Sequence, residues 1–230
     1  MLKAILLDAY GTLFDTGTGS VDAVRDILHL NGREDLSPKD FYGEWKVLHQ
    51  HHMDTLPQFR TEWEIYALDL AELYRRHGFV RDSEEDVQVM LRIQGKRVVY
   101  PEVPGALKRL GERFLLAVAS TTDTAPLLED LQRGGLSFAP SRVFTSQSLQ
   151  AYKPKREFYT AILKKLALRP EETLFVGDSL KNDVQGPQDV GMRACWLNRK
   201  GIVPEGVKPD FQIHSLEQLP SVLESIEREL

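Results

Sequence analysis

One cysteine, Cys195, stands in a chain of 230 residues, so an intrachain disulfide is impossible and a cysteine-based zinc site is excluded. A lone thiol fits a reducing compartment. Long hydrophobic runs are missing as well. No stretch approaches the roughly 18 apolar residues of a membrane span, and the run over residues 1–7 is too short for a signal-peptide core and ends on Asp8. Basic clusters are the third absence. Lys and Arg number 29 against 34 Asp and Glu, a net charge of −5, and the cations are scattered singly or in pairs, unlike the footprint of a nucleic-acid binder. No internal repeat or low-complexity segment is visible. The expectation is a soluble, cytoplasmic protein with neither a nucleic acid nor a membrane as partner. What remains is an ordinary globular composition, 42% hydrophobic and 27% charged, long enough for one compact domain with an insertion or for two modest domains.

Ala4 to Leu7 is short and continuously apolar, as a strand buried on both faces of a parallel sheet must be. Similar runs recur at Leu115 to Ala119, Leu174 to Val176 and Ala194 to Leu197, with a weaker one from Arg142 to Thr145. Helical stripes lie between them: Leu107, Leu110 and Phe114; Leu127, Leu128 and Leu131; Phe158, Ile162, Leu163 and Leu166. A last stripe of Leu219, Val222, Leu223 and Ile226 closes the chain. This alternation predicts an α/β, Rossmann-like, mostly parallel sheet with helices on both faces.

From Asp15 to Arg97 the alternation stops. The segment has no convincing strand and several helical stripes, including Phe59, Trp63, Tyr66, Ala67, Leu70 and Tyr74. Gly17 and Gly19 loosen its start, and Val98-Val99-Tyr100-Pro101 marks its end, since a residue before proline is pushed out of helix. The division read from the sequence is a core of residues 1–14 and 98–230 with a helical insertion at 15–97.

Ligands of an open parallel sheet bind beyond the carboxyl ends of its strands, and four groups of polar residues fall at such ends. The first strand runs into Asp8-Ala9-Tyr10-Gly11-Thr12-Leu13-Phe14-Asp15. The second ends in Ser120-Thr121-Thr122-Asp123, Lys153-Pro154 follows the third, and the fourth enters Gly177-Asp178-Ser179-Leu180-Lys181-Asn182-Asp183. Each has a bland reading. Asp8 alone would serve to cap a turn, Lys153 alone would be a solvated surface lysine, and Asp183 would be a helix N-terminal acid complementing the dipole.

Taken together, DAYGTLFD, the strand-terminal Ser120, KP and GDSLKND resemble, in order, the four motifs of the haloacid dehalogenase (HAD) superfamily. That resemblance implies a hydrolase in which Asp8 attacks the substrate and forms a covalent aspartyl intermediate that water then hydrolyses. It implies that Thr12, Ser120, Thr121 and Lys153 hold the substrate anion, and that Lys153 also moderates the charge around Asp8. It implies Mg²⁺ bound by Asp8, the Tyr10 carbonyl and Asp178, with Asp183 supporting the ion or its waters. The helical insertion would then be the cap that roofs the site, and the substrate a small molecule, a phosphate ester above all.

Tyr10 departs from the phosphatase pattern. HAD phosphatases usually carry an aspartate there, to protonate the leaving oxygen and later activate water. A phenol, with an ordinary pKa of about 10, is a poor proton shuttle near neutrality. DAYGTLFD is similar to the first motif of the L-2-haloacid dehalogenases, whose halide leaves without a general acid. Those enzymes work without metal and lack the carboxylate that Asp178 supplies, and their cap arginine after a tryptophan stands here as Lys46 after Trp45. Three readings follow: a Mg²⁺-dependent phosphatase-like hydrolase, a metal-independent 2-haloacid dehalogenase, and a catalytically weak member that binds a ligand or a protein. In the insertion, His49 and His52 share a helical face, and polar surface histidines are a simpler reading than a metal site. Trp45, Phe59, Trp63 and Tyr66 read as core of the insertion, and Cys195 as an inert packing residue.

Overall fold

The computed structural model describes residues 1–94, 97–204 and 206–228. In chain order the elements are β1 (Ala4–Leu7), β2 (Phe14–Asp15), α1 (Gly19–Leu30), α2 (Pro38–Thr55), α3 (Glu62–His77), α4 (Ser83–Gln94), β3 (Val98–Val99), α5 (Val103–Gly111) and β4 (Leu115–Ser120). There follow α6 (Thr124–Arg133), β5 (Val143–Thr145), α7 (Ser146–Leu149), α8 (Arg156–Leu166), β6 (Thr173–Gly177), α9 (Gly186–Gln188), β7 (Arg193–Leu197), β8 (Phe211–Ile213) and α10 (Leu219–Arg228). The chain divides into two compact units, Met1–Asp15 with Val99–Leu230, and Thr16–Val98.

The first unit is a six-stranded sheet in the order β5-β4-β1-β6-β7-β8, and every pairing along it is parallel. Its apolar runs alternate between two covered faces. Ile5, Leu7, Val118, Leu174 and Val176 pack with α5, α6 and α10, through residues such as Ala106, Leu127 and Leu223. Leu6, Ala117, Ala119 and Phe175 point the other way, onto Phe158, Tyr159, Ile162 and Leu163 of α8. Burial on both faces is why these strands read as unbroken hydrophobic segments, and cutting a side chain such as Leu6 back to alanine would cost about 2–5 kcal/mol. Leu128 departs from its stripe: it is 44% exposed while Leu127 is buried, because neighbours in sequence sit about 100° apart around a helix.

The second unit is helical, with α1 to α4 around a core drawn wholly from this segment, including Val24, Ile27, Phe41, Trp45, Leu70, Leu73 and Met90. Its helix ends follow local chemistry. Ser37 accepts from the Asp40 N–H with Pro38 in the first turn, and Thr61 with Glu64 forms a capping box at the start of α3. Of the four aromatics expected in this core, Trp45 is 1% exposed but Trp63 is 37% exposed, so Trp63 faces solvent. His49 and His52 do share a face, and both direct Nδ1 to the carboxylate of the wholly buried Asp69, at 2.7 and 2.6 Å. The Trp45 indole adds a third bond to that carboxylate at 3.1 Å. The histidines thus satisfy a buried acid in the helical core. Among the described residues no helix is long and apolar enough to cross a membrane.

Candidate active site

Asp8 is the first residue beyond β1, the strand flanked by β4 and β6. Its amide donates to the Val176 carbonyl at 2.9 Å, so the chain leaves the sheet beside the end of β6, whose last residue is Gly177 and which Asp178 follows. On the other side β4 ends in Ser120, which is 2% exposed. This is the reversal point of an open parallel sheet, where its ligands bind.

Carboxylate oxygens of Asp8, Asp178 and Asp183 all lie within 4.8 Å of one another. Lys153 reaches the cluster from the segment after α7: its Nζ donates to Asp8 Oδ1 at 2.7 Å and to Asp183 Oδ1 at 2.8 Å. The ammonium also lies 4.8 Å from the centre of the Phe175 ring, a favourable placement for a buried cation. Lys153 does not stand directly at a strand end, as its motif suggested, because the short helix α7 intervenes after β5. Its backbone N–H donates to Thr121 Oγ1 at 3.3 Å, which brings the second and third sequence groups together. Thr12 is wholly buried, and its hydroxyl has no hydrogen-bond partner among the described residues.

Two glycines allow the crowding. Gly11 has φ +90°, and a Cβ there would fall 2.3 Å from Asp178 Oδ2. At Gly177 a Cβ would fall 2.4 Å from the Asp183 carboxyl carbon. Asp183 sits on the π-helical turn Leu180–Gln185 and accepts from the Ser179 N–H at 3.0 Å. Wide turns of this kind often mark functional positions.

The electrostatics are unbalanced. Of the three carboxylates, Asp8 and Asp183 bond to the Lys153 ammonium, and Asp178 feels the charges of Lys153 and Lys200 without a hydrogen bond to either. Burial pushes the Asp8 carboxyl above its usual range, the Lys153 ammonium opposes the rise, and the charges of Asp183 and Asp178 reinforce it. Asp178, the most exposed of the three, is also raised, first by desolvation and then by Asp183. Lys153 is raised despite its burial, because Asp183 and Asp8 hold it in the charged form. An all-oxygen donor set carrying surplus negative charge fits a hard divalent cation, which would lower both carboxyls again.

Tyr10 shows what sequence reasoning missed. Its phenol donates to Asp130 Oδ2 at 2.9 Å, on an α6 carboxylate that is 2% exposed and also pairs with Arg133. Asp130 lies 120 residues away in sequence, and no local signal marks it. Cys195 is buried, and its thiol is pushed up to about 12 by that burial, as expected of an inert packing residue.

Comparison with known proteins adds relatives to this geometry. The haloacid dehalogenase-like hydrolase family model matches residues 2–191. The pyrimidine 5'-nucleotidase PynA of Streptococcus pneumoniae is 27% identical, over 96% of this chain and 95% of that protein. The (S)-2-haloacid dehalogenase of Pseudomonas sp. strain YL is 25% identical, over 97% and 95% respectively. Among solved structures, the magnesium-bound HAD-hydrolase YfnB of Bacillus subtilis superposes with a TM-score of 0.76 at 20% identity, covering 96% of this chain and 98% of its own.

Proposed function

The chain belongs to the haloacid dehalogenase-like hydrolases, and within that family we propose that it is a Mg²⁺-dependent phosphatase acting on a small phosphorylated metabolite. The observation that carries this reading is Asp178, a third carboxylate held within 4.8 Å of Asp8 and Asp183. A metal-free site would gain nothing from adding that charge beside its nucleophile. PynA, a nucleotidase by name, and the glyceraldehyde 3-phosphate phosphatase of Pyrococcus furiosus, 28% identical over 99% of this chain, support a phosphate ester as the substrate class.

In this reading Asp8 is the nucleophile. Lys153 holds its Oδ1, so Oδ2 attacks phosphorus; the new Asp8–phosphorus bond forms as the ester P–O bond breaks. The leaving oxygen takes its proton from solvent, because the phenol of Tyr10 is directed to Asp130 and no carboxylic acid stands at that position. Water then attacks phosphorus, releasing phosphate and restoring the Asp8 carboxylate. Ser120, Thr121 and Thr12 supply hydroxyl or backbone donors for the phosphoryl oxygens, the buried Thr12 hydroxyl having no hydrogen-bond partner among the described residues, and Lys153 supplies positive charge. Asp8, the Tyr10 carbonyl and Asp178 would hold the Mg²⁺, with Asp183 in support, and the ion would supply positive charge against the carboxylates and the phosphoryl group. The segment 15–97 serves as the cap, and the enzyme works in the cytoplasm.

The second reading, a 2-haloacid dehalogenase, is favoured by Tyr10 and by the Pseudomonas relative. A hydrolysis screen of phosphate esters and 2-haloacids, with Mg²⁺ and with excess chelator, separates the two. Phosphate release that chelator abolishes supports the phosphatase; halide release in chelator overturns it.

A further inference from the structure

Arg199 lies two residues beyond β7 and has no part in the four motifs. Its guanidinium, 16% exposed, makes four contacts within the sheet unit. Nε donates to the Gly11 carbonyl at 3.2 Å and Nη2 to the Thr12 carbonyl at 2.9 Å. Nη1 pairs with Glu102 Oε1 at 2.6 Å. The plane lies over the Tyr100 ring, with Cζ 3.7 Å from its centre. Only a planar fork of five donors can hold two main-chain carbonyls and a carboxylate while stacking on an aromatic face.

The two carbonyls belong to the turn that carries Asp8, in which a Cβ on Gly11 would fall 2.3 Å from Asp178 Oδ2. Gly11 already stands too close to Asp178 for a side chain, so a displacement of the turn alters the spacing between the two acids. The same end of β7 also holds the opposite loop, since the Trp196 indole donates to the Asp178 carbonyl at 2.9 Å. Tyr100 and Glu102 open the segment in which the chain re-enters the sheet unit, and the Tyr100 N–H donates to the Leu13 carbonyl at 3.0 Å. The end of β7 therefore anchors both acid-bearing loops, and Arg199 ties one of them to the returning segment.

We propose that Arg199 is a positioning residue that fixes the Asp8 turn against Asp178 and makes the geometry of that turn depend on Tyr100 and Glu102. Its kinetic consequence rests on the reading of Asp8 as nucleophile; its structural consequence does not. A misplacement of about 1 Å can cost about 10²-fold in rate, so Arg199→Ala should lower kcat by roughly 10- to 100-fold and leave KM within about threefold. Arg199→Lys should recover only part of that, because an ammonium cannot fork, and millimolar guanidinium should partly restore Arg199→Ala without affecting the wild type.

The accompanying measurement is amide hydrogen exchange of the full chain. The N–H groups of Gly11, Leu13 and Phe14 bond within the turn, to the carbonyls of Phe14, Ala9 and Ala9. They should exchange at least about tenfold faster in Arg199→Ala, with α8 unchanged, and to a smaller degree in Arg199→Lys and Glu102→Gln, the variants to rely on if the alanine form does not fold. Unchanged exchange at these three amides, or equal acceleration throughout the sheet unit, overturns the proposal. Selective loosening of the turn in a protein whose wild type hydrolyses neither phosphate esters nor haloacids would uphold the positioning role and dismiss the hydrolytic reading of the site.

Discussion

Tyr10 is the residue on which the proposed chemistry turns. Its hydroxyl is committed to the buried Asp130, so Tyr10→Phe should leave turnover within a few-fold of wild type while costing about 1–3 kcal/mol of stability, as a buried acceptor loses a donor. A loss of activity far beyond that would mean that the phenol acts on the substrate. Tyr10→Asp asks the converse question. A carboxyl at this position is short and does not reach Asp130, so it supplies the missing general acid, an aid typically worth about 10²- to 10⁴-fold. Turnover of alkyl phosphates should rise more than that of aryl phosphates, whose leaving groups need little protonation. Equal or absent gains, with folding and Mg²⁺ affinity intact, would sink the account of Tyr10. Asp8→Asn is the simpler control: the amide is nearly isosteric but no nucleophile, so the variant should fold and lose turnover, and near-wild-type rates would remove Asp8 from its role. Asp8, Lys153, Asp178 and Asp183 were legible as one cluster because each lies in a short motif at or near a strand end. Asp130, Asp69 and Arg199 were not, because each owes its importance to partners far away in sequence.

At the level of elements, the central strands were plain, since burial on both faces leaves a continuous apolar run. The edge strand β8 was not. Phe-Gln-Ile puts only Ile213 fully inside, with Gln212 exposed, and three residues of that kind carry no signal above the background. The weak run ending at Thr145 did become a strand, β5, at the opposite edge. The junction of β1 with the start of β6 offers a test of element stability. Glu172, just before β6, is held at about 2 by the Lys3 ammonium and by the Arg169 N–H and guanidinium, with Lys3 Nζ 2.7 Å from Oε1. Because its folded pKa lies below the ordinary 4.5, its contribution is present above that value and is lost as pH falls toward about 2. The wild type should therefore melt above Glu172→Gln at pH 7, and the difference should close across that acid window. A difference independent of pH would assign the effect to shape and packing rather than to charge.

On the scale of the whole molecule, the two units have separate buried cores: Ile5, Val118 and Phe175 belong to clusters drawn from the sheet unit, and Trp45, Leu70 and Met90 to one drawn from the helical unit. All three carboxylates of the candidate metal site lie in the sheet unit. A ligand stabilises the part of a protein whose folded form binds it, by about 2.7 kcal/mol at 100 times its Kd. For a unit of this size that is roughly 5–10 °C in melting temperature. The chain has three tryptophans, of which Trp45 and Trp63 lie in the helical unit and Trp196 in the sheet unit. The variant Trp45→Phe with Trp63→Phe therefore leaves Trp196 as the only indole, beside Asp178. Saturating Mg²⁺ should raise the melting midpoint reported by Trp196, and Asp178→Ala should abolish that rise. In the wild type, amide exchange within α3 should be unaffected by the ion. A midpoint that Mg²⁺ never moves would remove the metal from the site. A rise accompanied by equal protection of α3 would show that the two cores melt as one cooperative body, so that the ion steadies the helical unit as well as the nucleophile.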